Sequence, residues 1–181
     1  DGTGKEYQRC LTGTGAAVLR TDHPTGGVME TVQTMNGVRH GTYVQYHVNG
    51  KTSVEGNYVN GERDGLWTGY YPNGVKATEK HWDLGQRTGI HRTWFEDGTP
   101  HSEEPFENDL THGVYRAFDR NGILIMERTR AFGQEHGTAR SWNPEGTLQL
   151  FRYYDHDRLF AYASPSADGT AGDTIPPPQG V

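Results

Sequence analysis

The stretch Gly65-Leu66-Trp67-Thr68-Gly69-Tyr70-Tyr71-Pro72-Asn73-Gly74 decides how the chain is read, because most of its features return at intervals of 24 residues. Its first glycine belongs to the series Gly41, Gly65, Gly89, Gly113, Gly137. Its last belongs to Gly50, Gly74, Gly98, Gly122, Gly146. A third series, Gly37, Gly61, Gly85, Asp109, Gly133, keeps the interval with one aspartate. A fixed period of 20–50 residues is the signature of a repeat architecture. Rings share the period. One column holds Tyr46, Tyr70, Trp94, Phe118 and Trp142; a second holds Tyr43, Trp67, His91, Tyr115 and Ala139; a third holds Tyr58, Trp82, Phe106, Arg130 and Tyr154.

Each repeat reads as a β-hairpin. Asn-Gly or Asp-Gly between short runs of aromatic and β-branched residues signals a type I′ turn, which needs positive φ at both central residues. Residues 66–71 and 75–82 then become two strands joined at Pro72-Asn73-Gly74, and residues 84–89 form a glycine-bracketed turn into the next hairpin. Two strands per repeat advance a sheet by roughly 10 Å. The expected fold is therefore all-β, an elongated antiparallel meander of 24-residue β-hairpin repeats in a single twisted layer. Residues 1–35 are expected to hold a degenerate capping repeat, and residues 36–163 the array with a last capping strand. Residues 164–181, rich in Pro and Gly, are expected to be a disordered tail.

Composition agrees with this reading. The 181 residues include 25 glycines, which disfavour a helical bundle, and 4 Trp, 10 Tyr and 6 Phe, which supply core material in place of aliphatics. With 17 basic and 23 acidic residues the net charge is −6, and no basic run suggests a nucleic-acid partner. No apolar run is long enough for a transmembrane helix. Cys10, the only cysteine, has no internal partner. The chain opens on Asp1, which favours an exported or periplasmic protein over a cytoplasmic one.

Residues 65–74 resemble the MORN repeat in its bacterial variant form, and are most similar to the YwqK-type antitoxin family. The resemblance spans about residues 36–156. Asp109 stands where the pattern has glycine, and Arg130 and Ala139 stand where it has rings. The resemblance implies an antitoxin or immunity protein that neutralises a toxin or secreted effector, for example a phospholipase, by binding it. A MORN-type scaffold or adaptor at the cell envelope is the alternative, and a glycan- or lipid-acting hydrolase a second.

The residues themselves offer little chemistry. Ser53, Ser102 and Ser141 lack a nucleophile-elbow context, and Gly13-Thr14-Gly15 is only a fragment of a dinucleotide fingerprint. His40, His112 and His136 share a column whose members should lie about 10 Å apart, whereas ligands sit about 2 Å from a shared zinc. No cofactor, metal or catalytic residue is expected. Glu55, Glu79, Glu103 and Glu127 form a carboxylate column, read either as structural partners of arginines and turns or as an acidic ridge for a basic partner. First-strand rings three residues apart should face opposite sides of the sheet, so one ring column would remain as a contact surface. The candidate partner-binding residues are Tyr43, Trp67, Trp94, Tyr115, Glu55, Glu79, Glu103 and Glu127, and the partner is expected to be a protein. Unpaired terminal strands make an edge-mediated homodimer a further expectation.

Overall fold

The computed structural model describes residues 8–11 and 15–163, and the tail expected at 164–181 lies outside them. Among the described residues there are strands and turns and no helix. The strands are β1 (Gln8–Leu11), β2 (Ala16–Asp22), β3 (Val28–Met35), β4 (Val38–Tyr46), β5 (Thr52–Val59), β6 (Glu62–Tyr70), β7 (Lys76–Asp83), β8 (Gln86–Trp94), β9 (Pro100–Glu107), β10 (Leu110–Thr111), β11 (Gly113–Phe118), β12 (Leu124–Ala131), β13 (Gln134–Trp142), β14 (Leu148–Asp155) and β15 (Arg158–Ala163).

Two compact units emerge. One carries the described residues up to Arg87 together with Glu96–Gly98, and the other carries Thr88–Phe95 and the described residues from Thr99 onward. In the first unit β1 to β7 are hydrogen-bonded in chain order, each antiparallel to the next. The second follows the same rule from β8 to β15, with short β10 paired to β9 beside β11. Each unit is an open antiparallel meander built of hairpins.

The turns differ from expectation in an instructive way. In the loop after β4 the His47 N–H donates to the Lys51 carbonyl and the Gly50 N–H to the His47 carbonyl, both at 2.8 Å, with Gly50 at φ 79°. Asn49 keeps negative φ, so this is the three-residue form, a β-turn followed by a left-handed residue, and not the expected type I′ turn. The type I′ turns lie at the other end of each hairpin. Both central residues have positive φ at Asn36-Gly37, Asn60-Gly61, Leu84-Gly85, Asn108-Asp109, Phe132-Gly133 and His156-Asp157. The expected turn over residues 84–89 is thus only Leu84-Gly85, and β8 already runs from Gln86.

Asparagine is favoured in the three-residue loop for its side chain. Asn73 Oδ1 accepts the Val75 N–H at 2.8 Å, while Nδ2 donates to the Glu96 carbonyl one repeat on at 2.9 Å. Asn49 makes the same pair of bonds, to the Lys51 N–H at 3.1 Å and the Pro72 carbonyl at 2.8 Å. At the opposite hairpin ends, the Gly61 N–H reaches the Arg39 carbonyl and the Gly85 N–H the Arg63 carbonyl, both at 2.8 Å. Consecutive hairpins are therefore stitched together at both ends.

Within the strands the remaining glycine series marks bulges. Glu55 faces Thr68 but Asn57 faces Asp64, so two extra residues are absorbed on β6 beside Gly65, whose φ of 72° suits glycine. The same slip recurs between β3 and β4 and between β12 and β13. It fixes which side chains reach each face.

Candidate functional site

The register divides each unit into two faces. On one face of the first unit, Tyr43 lies opposite Gly56, and Gly41 opposite Tyr58. A Cβ at Gly56 would overlap the Trp67 indole, so glycine here makes room for the largest ring in the repeat. Trp67 stacks on Tyr43 with centroids 5.4 Å apart and meets Tyr58 edge-on at 5.0 Å. Val32, Tyr58 and Trp67 form the core cluster, with Leu19, Tyr43, Val54 and Trp82 against it. The Trp67 Nε1–H donates to the Asn57 carbonyl at 3.1 Å, which satisfies its polar edge.

A single layer has no second sheet to cover these rings, and arginines take that role. The Arg63 guanidinium lies 4.6 Å from the Trp67 ring centroid and 5.0 Å from that of Trp82, and Arg39 lies 5.2 Å from that of Tyr58. Trp67 is left 5% exposed. Tyr43 donates its hydroxyl to Glu30 Oε2 at 3.0 Å. Burial, followed by this hydrogen bond, pushes its pKa from 10.0 up to about 12.

The opposite face carries the carboxylate column. Glu55 faces Thr68 and accepts the Tyr70 hydroxyl at 2.6 Å, which raises the Tyr70 pKa. Tyr70 and Trp67 thus point to opposite sides, as alternation requires. Glu79 pairs with Lys76 at 2.7 Å.

In the second unit this face becomes a charge ladder. Arg92 Nε lies 3.0 Å from Glu103 Oε1, and Glu103 Oε2 lies 3.9 Å from Arg116 Nη1. Arg116 Nε lies 3.0 Å from Glu127 Oε1, and Glu127 Oε2 lies 4.0 Å from Arg140 Nη1. Each carboxylate therefore sits between two guanidiniums. The arginine side chains remain 35%, 43% and 42% exposed. Trp94, Phe118 and Trp142, two residues beyond each arginine, share their face by alternation.

The pairing order and the columns together match a known repeat: residues 39–60, 63–83 and 87–108 fit the model of the MORN repeat variant. These three repeats are MORN-type. No curated protein matches the chain. Such repeats suggest a repeat-containing binding or scaffold module. The matched repeats cover β4 to β9, and β11 to β14 continue the same pairing order through residues whose columns have diverged.

The eight residues singled out from sequence do not form one surface. Tyr43 and Trp67 are packed in the ring face, with Trp67 enclosed by the cluster. Tyr115 is half-buried on the corresponding face of the second unit, beside a hollow of about 400 Å³ lined also by Glu104, Met126, Arg128 and Arg130. Glu55 and Glu79 share the opposite face of the first unit, and Trp94, Glu103 and Glu127 lie on the ladder face of the second. Sequence reasoning missed the arginines of that ladder. Their signal was present, since Arg92, Arg116 and Arg140 are spaced by 24 beside the carboxylate column. It also missed His136, Asp155 and His156, whose potential ligand atoms all lie within 4.8 Å of one another.

Proposed function

We propose that this protein is a non-catalytic MORN-repeat module that binds a protein partner across the ladder face of its second unit. In this reading the partner is a bacterial toxin or secreted effector that the module neutralises by occupying it. The observation that carries the binding part is the alternating row Arg92–Glu103–Arg116–Glu127–Arg140. Carboxylates hold the guanidiniums in place while leaving them partly open to solvent, so less side-chain freedom is lost when a partner docks. Arginine and tryptophan are the residue types that most often dominate such contacts, and Trp94 and Trp142 share this face. The row has one more arginine than carboxylate, which favours a partner surface that brings its own carboxylate between rings. The immunity part rests on the resemblance of residues 65–74 to the antitoxin family.

The test is co-expression with any toxin or effector found encoded beside this gene. Protection of the cell, with a one-to-one complex and loss of protection in Arg116→Glu, is the expected result. Circular dichroism of that variant separates loss of binding from loss of fold. Complex formation without protection would turn the reading toward a scaffold. Full protection by Arg116→Glu would remove the ladder face from it.

A further inference from the structure

The histidine column near the bulge glycines has a consistent role that one member abandons. His40 Nδ1 accepts the Asn60 N–H at 3.3 Å, and His112 Nδ1 accepts the Phe132 N–H at 3.4 Å. Asp64, in the same column, takes the Leu84 N–H at 3.3 Å. Each side chain caps the type I′ turn of the next hairpin. His136 holds the equivalent place before the turn at His156-Asp157, yet its Nδ1 is buried and accepts no hydrogen bond. Asp155 Oδ1 lies 3.2 Å from that nitrogen. His156 Nδ1 approaches the same oxygen to 2.5 Å, and the two imidazole centroids are 5.1 Å apart. Asp157 does not compete, because its Oδ1 accepts the Glu135 N–H at 2.7 Å.

From this convergence we infer that His136, Asp155 and His156 form a binding site for a divalent transition metal of the zinc type. Two imidazoles and a carboxylate are the donor set of such ions, whereas calcium and magnesium take oxygen. Bonds of about 2.0–2.2 Å place tetrahedral ligand atoms about 3.3–3.5 Å apart. The His136–Asp155 separation already fits. The His156–Asp155 contact must open by about 1 Å to reach that spacing, and the His156 side chain, 69% exposed, is free to turn. The ion takes the lone pair of His136 Nδ1 in place of the missing N–H donor and ties the start of β13 to the β14–β15 turn. Three protein ligands leave a fourth position for water or for a donor from another molecule. The site stands on a different set of residues from the ladder face and does not depend on it.

Titration of the untagged full chain with zinc chloride in a calorimeter tests this. One equivalent should bind, magnesium chloride should give no binding, and His156→Asn and Asp155→Asn should each weaken zinc binding at least tenfold. Asparagine is chosen at 156 because the backbone there has φ 47°, which asparagine tolerates. His40→Asn, in the same column but outside the cluster, should leave affinity and stoichiometry unchanged. Ring-nitrogen spectra of the histidines in the unsubstituted chain provide a check that needs no variant. Zinc should move the His136 and His156 signals and leave His40 and His112 in place. Absence of a one-equivalent event, unchanged affinity in both ligand variants, or movement of other histidines alone would overturn the assignment.

Discussion

The two units share a backbone and differ in what fills its columns. In the first, one face is a cluster of rings under two arginines, and the carboxylates opposite are met by a tyrosine hydroxyl and a lysine. In the second, Arg130 and Ala139 stand where rings stood, and three arginines lock onto the same carboxylate column. The loops diverge in parallel. Asn49 and Asn73 accept an N–H of their own loop and also reach to the next, whereas in the second unit it is Asp119 and Asn143, two places earlier in the loop, that accept the loop N–H groups. The backbone pairing thus tolerates exchange of apolar for ionic contacts, because the turns and bulges set the register independently of the faces. What changes is how each unit is held. Ring burial resists salt and fades with truncation, while half-exposed ion pairs respond to ionic strength.

The largest break in this comparison should come from Trp67→Ala. Removing a buried indole from the cluster should cost about 3–5 kcal/mol. Since repeats contact mainly their neighbours, hydrogen exchange should show the first unit losing protection more than the second. Equal loss in both would mean that the ring cluster is not local to its unit.

Tyr43→Phe is a smaller and more diagnostic change. Loss of the hydroxyl's bond to Glu30 should cost about 1–2 kcal/mol. The raised pKa fixes the sign of the pH effect. The stabilisation from the protonated hydroxyl is complete below pH 10 and disappears as pH climbs toward 12. Tyr43→Phe should therefore flatten the alkaline limb of the stability curve. An unchanged limb would assign it to other groups.

The smallest expected effect belongs to the ladder. Arg116→Ala removes both contacts of the central guanidinium, yet exposed pairs contribute only about 0.2–1 kcal/mol each. A loss near 1 kcal/mol at low salt that vanishes at about 1 M salt would sharpen the contrast between the units. A salt-independent loss would point to packing by the arginine stem.

The period and the strand count per repeat were legible because three glycine series and the rings fall in phase. The assignment of turn types was not, because Asn-Gly occurs at both hairpin ends, as Asn49-Gly50 and Asn60-Gly61 show. Either pair fits a two-residue turn, and only the pairing of Val59 with Glu62 selects Asn60-Gly61. Alternation foretold that Trp67 and Tyr70 would part, but which ring column packs depends on Gly56, a residue outside every glycine series. The spacing argument against a shared metal concerned histidines of one column. It did not extend to His136 with Asp155 and His156, which meet across a hairpin and not along the array.

The asparagine link between loops has a consequence for how such a chain can change length. Asn49 and Asn73 each donate a hydrogen bond to the loop one period ahead, so donor and acceptor travel inside the same 24-residue block. Duplicating or excising a whole block within this stretch leaves each joint with the group it needs. An insertion of even one residue between donor and acceptor brings the wrong atom to that joint. In the stretch joined by these asparagines the gene can lengthen or shorten its product by copying, and point insertions are the changes it can least absorb.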